Sequence, residues 1–182
     1  AVELGEKESF KSYKDSNVLV IGAGAIGLLC GLILSKVKNC KNISIVEPND
    51  KRLKESLKYL DADGFKPNNK TIINDHFDIV FDTVGLELTR QQSIRCVKPG
   101  GVIIHIGLTE LSGSFDFRKA TLQEVTFIGT YCYTNKDFIK TLDILNKKKI
   151  GSLDWIQYRS LDEGSSAFKE IHDGRCTAPK II

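Results

Sequence analysis

The 182-residue chain predicts an α/β fold: a doubly wound parallel sheet of about six strands with a C-terminal helical extension. Two observations carry this. Short uncharged apolar runs, such as Val18–Ile21 and Val102–Ile106, alternate with segments of helical periodicity, and strands that alternate with helices pair in parallel with both faces covered. Glycines stand where the runs end, at Gly22, Gly85 and Gly107, and glycine is the residue that leaves a strand through a tight turn.

Taken in order, residues 1–14 are polar and read as helical, so that 1–15 is expected to be a tail from a preceding domain. The first strand is expected at Asn17–Ile21, the first helix at Ile26–Val37 and the second strand at Asn42–Glu47. Asp50 is expected to cap a helix through Leu60, with Leu53, Leu57 and Leu60 on one face. Gly64, Pro67 and two asparagines make 61–70 a loop, ahead of a short strand at Thr71–Asn74. A fourth strand follows at Phe77–Val84 and a helix from about Leu86 to Val97. Pro99, Gly100 and Gly101 are expected to break the chain before a fifth strand at Val102–Ile106. A short helix near Arg118–Gln123 precedes the sixth strand, Val125–Thr130, which closes a unit of 16–130. From Tyr131 to Ile182 the pattern turns to amphipathic helices at Asn135–Lys147 and Leu161–His172 and an extended end at Ala178–Ile182.

The chemistry concentrates in VLVIGAGAIGLLCG, residues 18–31. Gly22 permits the turn out of the strand, Gly24 leaves the backbone bare where a diphosphate comes close, and Gly27 lets the helix lie near the strand. The unpaired N–H groups that open the helix, with the dipole behind them, favour an anion. Glu47 ends the second strand about 20 residues beyond the last glycine, the place of an acid that accepts the hydroxyls of an adenine ribose.

Composition excludes several other classes. A net charge of +3, from 26 basic and 23 acidic residues, is too small and too scattered for a nucleic-acid surface. The uncharged run from Ser16 to Ser35 is about as long as a membrane span, but its four glycines favour strand, turn and helix. Five cysteines, far apart and never in a CxxC pair, fit a reduced cytoplasmic setting and, with only His76, His105 and His172, no zinc spacing. The chain starts at Ala1 and holds no methionine, so it is expected to be a piece of a longer protein.

The runs FDIVFDTVG, VKPGGVIIHIGL, VTFIGTYCYT and AFKEIHDGRCTAPKII, together with VLVIGAGAIGLL and VEPNDKRL, resemble the cofactor-binding half of the medium-chain, zinc-type alcohol dehydrogenase family, in order along nearly the whole chain. The resemblance implies a Rossmann fold that binds NAD and serves a small alcohol or polyol substrate. It places Gly22, Gly24, Ala25, Ile26 and Gly27 at the pyrophosphate, Glu47 at the ribose and Arg52 beside the adenosine. It places Thr83, Val84 and Gly85 against the cofactor, Ile106, Gly107 and Leu108 at its nicotinamide end with Thr130 and Tyr131, and loosely Lys180 near the pyrophosphate. It also implies that catalytic residues and the zinc ligands belong to a domain ahead of Ala1, that 131–182 returns to that domain, and that strand 125–130 pairs across a homodimer axis. Glu47 favours NAD over NADP, although Lys51 and Arg52 soften that argument. An FAD-binding module, a methyltransferase, a non-catalytic nucleotide sensor and a zinc-independent quinone reductase relative remain alternatives.

Overall fold

The computed structural model describes residues 1–67 and 72–182. After a helix α1 (Val2–Glu8), strands β1 (Asn17–Ile21), β2 (Asn42–Val46), β3 (Asp63–Phe65), β4 (Phe77–Asp82), β5 (Val97–His105) and β6 (Thr126–Gly129) form one sheet in the order β3-β2-β1-β4-β5-β6. Every pairing in it is parallel. The connecting helices are α2 (Ala25–Lys36), α3 (Asp50–Leu57), α4 (Glu87–Cys96) and α5 (Phe117–Leu122). Strand order reverses between β1 and β4, and beside that switch point the carboxyl ends of the strands leave a crevice.

Alternate residues of each strand enter different cores. Val18, Val20, Ile79, Phe81, Val102 and Ile104 pack with Leu28 and Leu32 of α2, whereas Leu19, Ile21, Val80 and Ile103 pack with Ile94 of α4. All six residues of β4 are buried, as expected of a central parallel strand covered on both faces.

Several sequence expectations are corrected. The third strand is Asp63–Phe65, inside the segment read as loop; residues 72–74 form a bend and turn, and Thr71 lies outside the described residues. The reason is Gly64: a Cβ there would stand 2.6 Å from Leu57 Cδ1, so this glycine serves close helix-on-strand packing rather than a turn. Asn49, not Asp50, caps α3, its Oδ1 accepting from the N–H groups of Lys51 and Arg52. That helix ends at Leu57, and Leu60 reaches the core from beyond it, filling the space beside Gly31.

Pro99, Gly100 and Gly101 do not end a chain segment but lie within β5. There the register against β4 jumps from Phe77↔Val97 to Ile79↔Val102, and Gly100 at φ +70 donates its N–H to Gln123 O. The helix expected over 161–172 is a 3-10 turn at Leu161–Glu163 followed by α7 (Gly164–His172). The earlier amphipathic stretch is α6 (Asn135–Asn146), capped by Thr134 and Asp137. Two short strands, β7 (Ile156–Gln157) and β8 (Lys180–Ile181), make a separate parallel pair. Residues 1–15, expected as a tail, lie against the sheet: Tyr13 is buried and donates to Val2 O, and a Cβ on Gly5 would stand 3.2 Å from the Phe81 ring. Among the described residues no helix is long and apolar enough to cross a membrane.

Candidate functional site

The expected site residues line the carboxyl edge of the sheet in three groups. The first is the turn from β1 into α2. Gly22 has φ +99, a conformation that an L side chain resists, and a Cβ on Gly27 would stand 1.9 Å from Gly22 O. Helix and strand can meet this closely only without that side chain. Gly24 is the N-cap of α2, contributes no capping side chain, and a Cβ there would meet open space. Ala25 and Ile26 begin the helix, whose first internal bond runs from Leu28 N–H to Gly24 O, so the preceding N–H groups are left to other partners.

The second group surrounds Glu47, which is 3% exposed. Its Oε2 accepts from Ala23 N–H at 2.9 Å, its Oε1 from Asn49 N–H at 3.0 Å, and Arg52 Nη1 lies 3.5 Å from Oε1. The carboxylate is thus tied to the glycine turn and to the cap of α3. Arg52 Nη2 also donates to Cys176 O at 3.1 Å, and Asn49 Nδ2 to Gly174 O at 2.7 Å, which draws the C-terminal segment to the crevice. Lys180 lines a cavity of about 340 Å³ there, together with Gly24, Ala25 and Arg52.

The third group joins the turns after β4 and β5. Thr83 donates through Oγ1 to Ile21 O at 2.7 Å, binding the β4 turn to β1. A Cβ on Gly85 would stand 2.1 Å from Gly107 O, and one on Gly107 would stand 2.0 Å from the Val84 carbonyl carbon. Val84, Gly85, Gly107 and Leu108 are therefore one backbone unit, with Ile106 just before it donating its N–H to Asp82 O. Thr130 donates its N–H to His105 O, and Tyr131 is 84% exposed.

Sequence reasoning missed what holds this third group. Asp82, fully buried, accepts from Val84 N–H (3.1 Å), Gly85 N–H (2.9 Å) and Thr89 Oγ1 (3.0 Å), and its Oδ2 lies 3.1 Å from His105 Nδ1. Its signal was visible: a carboxylate closing the apolar strand FDIVFD is costly unless it finds donors. Arg90 donates Nη1 to Gly85 O at 3.0 Å and Nη2 to Ser112 O at 2.6 Å, stapling the two loops together. Nothing in its sequence context marks it. Between the second and third groups opens a crevice of about 430 Å³, reached by Glu47 and Arg52 from one side and by Thr89, Gln92 and Arg95 of α4 from the other. Among the described residues no group of three His, Cys, Asp or Glu side chains is placed to hold a metal ion.

A family model described as zinc-binding dehydrogenase matches residues 25–147. The probable D-xylulose reductase A of Aspergillus clavatus is 27% identical over 188 aligned positions, covering 96% of this chain and 52% of that protein. The probable diacetyl reductase 2, (R)-acetoin forming, of Saccharomyces cerevisiae is 32% identical over 157 positions, 74% of this chain and 35% of its own. Among solved structures, an acetophenone reductase from Geotrichum candidum in complex with NAD shares the fold with a TM-score of 0.83 at 16% identity, over 97% of this chain and 50% of its own. The chain spans about half the length, or less, of the curated relatives it matches.

Proposed function

The chain belongs to the zinc-binding dehydrogenase family, and from that premise we propose that it is the NAD-binding half of an alcohol or polyol dehydrogenase. One observation carries this reading: the uncapped start of α2, where Gly24 leaves open space in front of unpaired N–H groups. Gly22, Gly24, Ala25, Ile26 and Gly27 would hold the pyrophosphate. Glu47 would accept the ribose hydroxyls, because Ala23 and Asn49 occupy one acceptor position on each oxygen and a carboxylate has about four. The locked pair of turns, Thr83–Gly85 and Ile106–Leu108, would orient the nicotinamide end, with Thr130 and Tyr131 beyond it. The bound nicotinamide supplies the hydride acceptor.

We place the ligands of the family's zinc in the part of the relatives' length that this chain does not span. Preference for NAD over NADP rests on Glu47, whose charge opposes an added phosphate by about 1–4 kcal/mol at contact. Arg52 does not reverse that preference, since Glu47 and Cys176 O already engage its guanidinium. Calorimetric titration tests both points. NAD is expected to bind at least tenfold more tightly than NADP; equal affinity removes the preference, and heat from neither removes the reading.

Two further parts of the reading have their own support. Among the described residues the outer edge of β6 carries no partner strand in the sheet, which suits pairing with a second copy across 125–130, and a monomeric mass in sedimentation would count against it. All five cysteines are free, which suits a reduced cytoplasmic compartment.

A further inference from the structure

We propose that Gln92 reads the purine of the dinucleotide and sets the preference for adenine. This rests on the dinucleotide reading above but names a residue and a selectivity which that reading does not contain. Gln92 lies on α4 in the wall of the 430 Å³ crevice, across from Glu47, the ribose-side acid. It is 6% exposed, and its Nε2 is shut off from solvent without a hydrogen-bond partner among the described residues. Folded proteins leave few buried donors unsatisfied, and each one calls for a missing partner. The neighbouring Gln91, which reaches the same crevice, is committed: its Nε2 donates to Ser114 Oγ at 2.8 Å. Of these two, Gln92 is the one left without such a partner.

That donor lies behind the crevice wall, so the side chain must swing into the crevice as the purine enters, which brings its donor and its acceptor together to the ligand edge. Adenine offers the matching pair, with N7 accepting beside the donating 6-amino group, and a glutamine meets both at once. Hypoxanthine replaces that amino group by an oxygen. Its edge then presents two acceptors, and the glutamine oxygen faces one of them unpaired. The charged groups of the crevice do not supply this match: Glu47 accepts only, and Arg52 and Arg95 donate only.

The test titrates the chain with NAD and with nicotinamide hypoxanthine dinucleotide, in wild type and in Gln92→Leu, and follows thermal melting without ligand. Wild type is expected to bind NAD about tenfold more tightly than the hypoxanthine analogue. Gln92→Leu is expected to lose that tenfold on the NAD side alone, with the analogue's affinity within about twofold of wild type. Its melting temperature should match or exceed that of wild type, because an orphan donor has left the interior. Equal binding of the two dinucleotides by wild type overturns the assignment while leaving the dinucleotide site standing. So does a variant that melts lower and loses both ligands in parallel, which makes Gln92 a packing residue. Binding of neither dinucleotide by wild type removes the site itself, and this assignment with it.

Discussion

Residues 16–130 and residues 131–182 solve the burial problem differently. In the first region the strands alternate between two cores, and β4 has no exposed residue. In the second, buried apolar side chains are few, chiefly Ile144, Ile150, Trp155 and Ala167, while Tyr133, Phe138, Ile139, Leu161 and Phe168 are exposed. Both regions have clear apolar periodicity in the sequence. Periodicity shows which face of an element is apolar, but not whether this chain covers it.

The difference can be sharpened or broken by substitution. The largest effect is expected at Gly27→Val, where the added side chain must enter the Gly22 carbonyl: about 3 kcal/mol of stability and at least a hundredfold of dinucleotide affinity should be lost. Phe81→Ala in the sheet core affects stability alone, and is expected to cost about 3–5 kcal/mol in denaturant unfolding. The matching truncation Phe168→Ala, at a side chain 77% exposed, should change stability by no more than about 0.5 kcal/mol. A cost at Phe168 comparable to that at Phe81 would erase the contrast between the regions.

Arg90→Met keeps the aliphatic stem and removes the staple between the two turns. A loss of about 2 kcal/mol is expected, with faster hydrogen exchange at Thr109 and Glu110, whose N–H groups bond Val84 O and Gly85 O. Unchanged exchange there would show that the glycine contacts hold the turns unaided.

The smallest of the expected losses concerns Asp78, at the opposite end of β4, since Phe168→Ala is expected to be near neutral. Burial alone would raise its carboxyl, but the Asn17 N–H and the ammonium groups of Lys11 and Lys98 hold it below the ordinary range. With the folded value lower than the unfolded one, this cluster contributes fully above the usual Asp value of about 3.9 and is lost as pH falls through the folded value. Asp78→Asn should therefore cost about 1 kcal/mol at pH 7 and nothing once wild-type Asp78 is protonated, read from unfolding curves across the acid range. A cost that persists at the acid end would assign it to hydrogen-bond geometry rather than charge.

What the sequence revealed follows from how glycine and charge are used. The β1 turn and Glu47 were legible because glycines at the end of an apolar run, with an acid about 20 residues on, form a pattern that spacing alone defines. Gly64 and Gly100 misled because one serves helix-on-strand packing and the other a bulge, and spacing alone does not tell either from a turn. Arg90 and Gln92 were invisible for a related reason: a long polar side chain on a helix reads as solvated until the partner loop or crevice beside it is known.

The central claim, that the bare start of α2 grips a dinucleotide, is tested most directly by amide chemical shifts on addition of NAD. The largest changes are expected at Gly24, Ala25, Ile26 and Gly27, with Ala23 and Asn49 following through Glu47. Saturating NAD that leaves those amides unmoved, or moves only residues beyond Thr130, would contradict the account.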